Sequence, residues 1–212
     1  MTLSEFESKE LLRQFNVPFL EECLASDAQT ASAFAANYSG PMAVKLCGDN
    51  IAHKTERGLV RLGVAPEAVG EVADELLAAG TEEDAVTGVL VAPMAEGIRE
   101  FIVGIHRDES FGFTIMVGVG GVLAEAIADV AFRLVPISRF DATDMLHSLR
   151  SQSLFAPLRG EPAVDHEKFE ELLLGLSAAA QSIEGLRSID LNPVRICNGL
   201  PVALDALVEI DR

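Results

Sequence analysis

Asp190-Leu191-Asn192-Pro193, answered thirteen residues after the asparagine by Asp205 in Ala203-Leu204-Asp205-Ala206, sets hard oxygen ligands on two segments that read as adjacent strands. The segments are Arg187 to Ile196 and Val202 to Val208, and Asn198-Gly199 between them is a dipeptide that tight hairpin turns favour. A small hard cation such as Mg²⁺ takes one or two protein oxygens, keeps some waters and gives its remaining positions to phosphate oxygens. Asn192 and Asp205 are therefore candidate metal ligands. Taken alone, Asp-x-Asn-Pro also fits an Asx-type turn before proline, so the rest of the chain has to decide.

Outward from this hairpin, helices and strands come in two batches. Ser4 to Phe15 places Phe6, Leu11, Leu12 and Phe15 at helical spacing behind a Ser4 cap. A short strand is expected near Val17 to Leu20, and Ser26-Asp27 opens a helix over Ala28 to Asn37. Met42 to Leu46 and Leu59 to Val64 read as strands, and a helix follows from Pro66 to Ala79. Val86 to Val91 is a strand, broken by Ala92-Pro93-Met94-Ala95-Glu96-Gly97. Arg99 to His106 and Gly112 to Val117 then form an antiparallel pair joined at Arg107-Asp108-Glu109. Helices near Ala142 to Arg150 and Asp165 to Ile183 lead into the closing hairpin. Batches of this kind, rather than a continuous βαβ series, predict an α+β fold of two lobes facing each other across a cleft.

Bulk properties narrow the function. A chain of 212 residues with 49 % hydrophobic content can bury a proper core. Met1-Thr2-Leu3-Ser4-Glu5 has neither a basic start nor an apolar signal run, and no stretch is long enough to span a bilayer, so a cytoplasmic location is expected. Cys23, Cys47 and Cys197 lack metal-ligand spacing and read as free thiols. Sixteen basic against thirty-three acidic residues give a formal charge of −17, which repels nucleic acid and anionic membrane alike. With no tryptophan and one tyrosine, stacking of bases on an aromatic platform has no support. In so acidic a chain, binding a nucleotide requires the few cations to be concentrated locally and Mg²⁺ to share in neutralising the phosphates.

Individual basic residues are thus informative. Lys45 stands alone in an apolar strand and needs a partner. A snorkelling lysine at a strand end is one account. The loop after it, His53-Lys54-Thr55-Glu56-Arg57-Gly58, makes a phosphate cradle including Gly58 an equal one. Glu100 opens the strand Glu100 to Gly104 and has Lys45 or a ribose hydroxyl as candidate partners. Gly118-Val119-Gly120-Gly121 is not a dinucleotide fingerprint, because Leu123 occupies the position of the third glycine, and no G-x-x-x-x-G-K-[ST] occurs. Of four histidines, His147 and His166 are expected on the surface of helices and His106 in a structural role. His53 sits between the lysine strand and Gly58, where an imidazole nitrogen can accept a phosphoryl group, with Asp190 or Glu56 as candidate orienting carboxylates. His53 and Asp190 are the candidate catalytic residues.

Taken together, Glu7-Ser8-Lys9-Glu10-Leu11-Leu12, Ala43-Val44-Lys45-Leu46, His53-Lys54-Thr55 with Val60 to Val64, Glu100 to Gly104, Arg107-Asp108 with Phe111-Gly112, Gly118 to Gly121 with Glu125 and Asp129, Arg159-Gly160 and Asp190 to Pro193 carry a resemblance over almost the whole chain. In order and spacing they resemble the ATP-grasp β subunit of ADP-forming (NDP-forming) acetyl-CoA or acyl-CoA synthetases, relatives of succinyl-CoA synthetase. The resemblance implies an ATP-grasp fold, with residues 1–95 as a first subdomain bearing the N-terminal helix and 96–212 as a second bearing the metal hairpin. It implies Lys45 on the phosphates, Val91 to Met94 as an adenine hinge, Glu100 near the ribose, Asn192 and Asp205 on Mg²⁺, and His53 as a phosphoryl carrier for ATP/ADP. It further implies an α subunit carrying the CoA-binding domain and its own phosphohistidine, in an α2β2 assembly, so that CoA is bound mainly by the partner. The pattern departs at Gly58-Leu59, where two glycines are usual, and at Ala92, where an acidic or amide residue is usual. A non-catalytic partner or regulatory subunit and a carboxylate–amine ligase of the same fold are the alternatives.

Overall fold

Met42, Val44 and Leu46 are fully buried while Ala43 and Lys45 between them are half-buried, the period-2 signature of a strand with one covered face. The computed structural model describes residues 1–51, 54–121 and 127–211. The chain divides into two units, Thr2–Glu7 with Leu20–Met94, and Met1 with Ser8–Phe19 and Ala95–Arg212. Helix α1 (Glu5–Arg13) gives its first three residues to the former and the rest to the latter.

In the unit built on Leu20–Met94, β1 (Cys23–Ala25), β2 (Met42–Gly48), β3 (Val60–Val64) and β4 (Val86–Pro93) form an antiparallel sheet in the order β1-β4-β2-β3. Helices α2 (Ala28–Ala35) and α3 (Val69–Ala79) pack on it. Ala31, Ala35 and Ala73 are fully buried there beside Met42, Val44, Leu46, Val89 and Val91, the small residues leaving room for the strand side chains. Asp27 caps α2 by accepting the Thr30 N–H at 2.8 Å, as the Ser26-Asp27 signal predicts. The strand expected near Val17 to Leu20 is absent; Phe19 makes only an isolated bridge to Ala203, and the first strand begins at Cys23.

The other unit holds β5 (Glu100–Asp108), β6 (Gly112–Val119), β7 (Val130–Leu134), β8 (Leu186–Cys197), β9 (Leu200–Ala203) and β10 (Leu207–Ile210), with α4 (Arg139–Ser148) and α5 (His166–Ser182). The sheet order is β10-β8-β5-β6-β7, with β9 also on β8, and every pairing is antiparallel. Phe101, Val103 and Ile105 of β5 and Ile189, Leu191, Val194 and Ile196 of β8 are buried, and α5 covers β5 and β6 with Phe169, Leu172, Leu173 and Leu176. The Phe101 ring lies edge-on to Phe169 with centroids 5.2 Å apart. Alternation then leaves Asp190 and Asn192 on the open face of β8.

The closing hairpin is more elaborate than its sequence suggests. Strand β8 is twelve residues long, and its return partner breaks into β9 and β10 with Leu204 to Ala206 between them, so Asp205 lies between strands rather than on one. Asn192-Pro193 lies inside β8, which removes the Asx-turn reading. Among the described residues no helix is long and apolar enough to cross a membrane. Phe101→Ala deletes a fully buried ring at the centre of the aromatic cluster and is expected to cost about 3–5 kcal/mol, measured by urea unfolding of the whole chain.

Candidate functional site

An apolar strand can carry a lysine only if its charge is met, and Glu5 meets it. Lys45 Nζ donates to Glu5 Oε1 at 2.6 Å, and Lys54 Nζ donates to the other oxygen, Oε2. The Glu5 side chain is 1 % exposed and each lysine side chain 18 %. Glu5 is the first residue of α1, where the helix dipole favours an anion. Ser4 and Glu7 cap that end reciprocally: Ser4 Oγ accepts the Glu7 N–H at 3.3 Å and Glu7 Oε2 accepts the Ser4 N–H at 3.0 Å. The sequence points to a partner for Lys45 but not to Glu5; the signal was an acid placed directly after a helix cap.

The turn after β2 is closed by Leu59 N–H donating to Lys54 O at 2.8 Å and Gly58 N–H to Thr55 O at 3.1 Å. Gly58 has φ +68°, which glycine adopts without strain. Leu59 is 3 % exposed and belongs to the core beside Leu46, which explains a leucine where the family resemblance leads one to expect a second glycine. Arg57 donates to both Asp84 oxygens at 2.6 and 2.8 Å, and this guanidinium, with the Thr81 N–H, holds the Asp84 carboxyl well below the usual range. The stability this lowered pKa confers is complete above the ordinary aspartate range and is lost only as pH falls through the lowered value. His53 lies outside the described residues.

Val91 is fully buried between Cys23 and Val44 in the sheet, so its side chain faces the core rather than a ligand. Ala92, Pro93 and Met94, where β4 leaves the sheet, are partly exposed, and Met94 N–H donates to Pro41 O at 2.9 Å.

In the C-terminal unit, Glu100 does not need Lys45: it stands opposite Arg195 across β5 and β8 and accepts from the Arg195 guanidinium. That pairing depends on register, which the sequence does not display. The Gly118 to Gly121 run packs against the same strand. Gly120 N–H donates to Glu100 O at 2.8 Å, and a Cβ at Gly120 would lie 3.0 Å from the Phe101 carbonyl carbon. Close approach of two backbones therefore accounts for that glycine.

Asp190, Asn192 and Asp205 are brought together by register. Ala203 pairs with Val194 and Leu207 with Asp190, and Leu204 N–H donates to Pro193 O at 3.0 Å, so counting along both chains sets Asp205 opposite Asn192. The Asp190 pKa is raised, first by desolvation and then by the Asp205 charge. Among the described residues no group of three or more His, Cys, Asp or Glu side chains is placed to hold a metal. Two repelling carboxylates and an amide oxygen instead suit a hard cation that completes its shell with phosphate and water. His147 is exposed, whereas His166, expected on the surface, is half-buried against Phe155. Its Nδ1 has no hydrogen-bond partner among the described residues, and burial, followed by the His147 charge, lowers its pKa.

Comparison with known proteins shows the family and the fold. Residues 1–210 match the family model described as ATP-grasp domain, and the chain belongs to that family. It is 35 % identical over 195 residues to the "Acetate--CoA ligase [ADP-forming] II subunit beta" of Pyrococcus furiosus, covering 90 % of this chain and 83 % of that one. The acetyl-coenzyme A synthetase 1 of Ca. Korarchaeum cryptofilum, solved with coenzyme A and Ca-AMPCP, superposes with a TM-score of 0.90 at 28 % identity, covering 99 % of this chain and 93 % of that one. The same enzyme with coenzyme A and Mg-AMPPCP, its phosphohistidine segment pointing towards the nucleotide site, gives a TM-score of 0.83 at 28 % identity over 98 % of this chain and 92 % of that one. The fold is ATP-grasp.

Asp205→Asn removes the like charge and is expected to bring the Asp190 pKa down, read from its carboxyl carbon by NMR titration. Ionising Asp190 in the folded chain costs stability as pH rises from the ordinary aspartate range through the raised value, and the substitution should reduce that cost. An unchanged titration would assign the whole shift to burial.

Proposed function

We propose that this chain is the nucleotide-binding β subunit of an ADP-forming acyl-CoA synthetase, interconverting acyl-CoA, ADP and phosphate with carboxylate, CoA and ATP. The observation that carries this reading is the correspondence, along nearly the whole chain, with a relative that is itself named as a β subunit. An α subunit bearing the CoA-binding domain and a phosphohistidine completes the enzyme in an α2β2 assembly, and the ATP and CoA it draws on place it in the cytoplasm.

In this reading the two units are the two ATP-grasp lobes, with Ser8–Phe19 belonging to the unit of Ala95–Arg212 rather than to the first subdomain. Lys45 binds the nucleotide phosphates, the Ala92 to Met94 segment passes the adenine, and Glu100, steadied by Arg195, accepts from the ribose. Asn192 and Asp205 would hold Mg²⁺, which supplies charge neutralisation to the transferring phosphate. His53 accepts the phosphoryl group on a ring nitrogen as the bond to its donor breaks, and returns it to an oxygen of ADP. Asp190 orients the imidazole. Because Asp190 is already reluctant to ionise, protons compete with the metal at this site, so Mg²⁺ affinity should weaken as pH falls through the raised Asp190 pKa.

Calorimetry with Mg·ADP tests the reading. Binding in the micromolar to millimolar range is expected, and no heat at millimolar nucleotide would defeat it. Lys45→Ala should weaken Mg·ADP roughly 10- to 100-fold, the loss of about 1.5–3 kcal/mol attached to a charged hydrogen bond. With the partner subunit and γ-labelled ATP, His53→Asn should abolish acid-labile label on this chain while nucleotide affinity stays within about twofold of the parent. Label surviving that substitution would remove the carrier role, and a carboxylate–amine ligase would leave no such label on the parent protein either.

A further inference from the structure

Strand β7 buries its small residue and exposes its large ones. Val130, Phe132 and Leu134 are 46, 54 and 55 % exposed, while Ala131 between them is buried and Arg133 pairs with Asp144 of α4. Helix α4 thus packs on one side of the strand, and three large apolar side chains stand on the other. Register carries that second side across the sheet. Phe132 lies opposite Met116, Met116 opposite Gly104, and Gly104 opposite Asp190, so the apolar strand and the acid share one face. In the next row Val130 lies opposite Gly118, where a Cβ would come within 2.7 Å of a Val130 methyl carbon. Val130 therefore leans over the glycine and closes the apolar surface there.

An edge strand of this kind invites another strand to pair along it, yet the edge is closed at its middle. Val119 N–H donates to Asp129 O at 3.0 Å and Val135 N–H to Phe113 O at 2.8 Å. In an antiparallel ladder this turns the backbone groups of Asp129, Ala131, Arg133 and Val135 toward β6 and those of Val130, Phe132 and Leu134 outward. Arg133 donates to the outward Phe132 carbonyl at 2.7 Å, and its other terminal nitrogen donates to Asp144. The held guanidinium occupies the acceptor that an added strand would need. The face remains, and it has a length and a charge. Val130 to Leu134 runs about 14 Å at roughly 3.4 Å per residue, longer than a nucleotide base or a short acyl chain, so a polypeptide suits it. A second copy of this chain would bring two surfaces of net charge −17 together, and an anionic membrane is repelled for the same reason. An apolar segment with basic neighbours answers both the three side chains and the acid on the same face.

We propose that the open face of β7 docks the α subunit, through an apolar segment with basic neighbours that covers Val130, Phe132 and Leu134. The inference rests on the β-subunit reading and names the surface by which the chain meets its partner. Phe132 and Asp190 stand in one row, three strand spacings or about 14 Å apart, so the docked segment lies on the same sheet face as the proposed metal site.

The test measures association of the full chain with the α subunit by sedimentation velocity, beside Mg·ADP calorimetry and urea unfolding of the chain alone. Phe132→Ser and Leu134→Ser should each weaken association roughly 10- to 100-fold, the loss expected when an apolar anchor at an interface is truncated, and Phe132→Leu should recover part of it. The same variants alone should bind Mg·ADP within about twofold of the parent and keep its urea midpoint, since these side chains are exposed. Unchanged association in both serine variants would overturn the proposal. So would weakened association accompanied by a lowered urea midpoint, which marks a role in the fold, or weakened Mg·ADP binding with association intact, which gives the face to the nucleotide. A parent chain that dimerises alone and becomes monomeric in Phe132→Ser would make a second copy the occupant. If the parent binds Mg·ADP but does not associate with the α subunit at all, the β-subunit reading falls and takes this proposal with it; association that the serine variants leave intact sinks only the proposal.

Discussion

A buried carboxylate that serves two ammonium groups is the constraint around which the N-terminal unit is built. Glu5 has almost no solvent of its own, and Lys45, Lys54 and the favourable end of α1 stabilise its charge. Removing one member of a buried pair typically costs about 3–5 kcal/mol, because the charge left behind has no water to turn to. That cost explains why the helix start, the central strand and the turn after it are fixed with respect to one another. The capping exchange between Ser4 and Glu7 sets the helix end, and the core residues flanking Lys45 set the strand.

The C-terminal unit has the opposite imbalance. Desolvation and then the Asp205 charge disfavour ionisation of Asp190, and the neighbouring Asn192 brings an amide. A folded chain retains such repulsion where something other than its own side chains relieves it.

How much of this was legible in the sequence depended on whether the signal was local. The alternation in Glu100 to His106 and Gly112 to Val117 gives β5 and β6 directly, and Asp27 announces α2. Strand β7 escaped notice because its alternation is inverted: Val130, Phe132 and Leu134 are exposed, while Ala131 between them is buried. Val17 to Leu20 has strand-like composition but no neighbour to extend along, so a single bridge at Phe19 is all that forms. The acid for Lys45, the base for Glu100 and the brace for Arg57 lie 40, 95 and 27 residues away, beyond any pattern of spacing. Asp190, Asn192 and Asp205 were visible because a hairpin makes distant residues neighbours by simple counting.

The acidity of the chain bears on where its cations are placed. With sixteen basic residues against thirty-three acidic ones, a lysine or arginine has an abundance of acids to choose from. In Arg99–Glu161, Arg57–Asp84 and Arg195–Glu100 one base faces one acid, and each pair holds a loop or strand in place without leaving charge over. At Glu5 one buried carboxylate accepts from two lysines, so the helix start, the central strand and the turn after it meet on a single side chain.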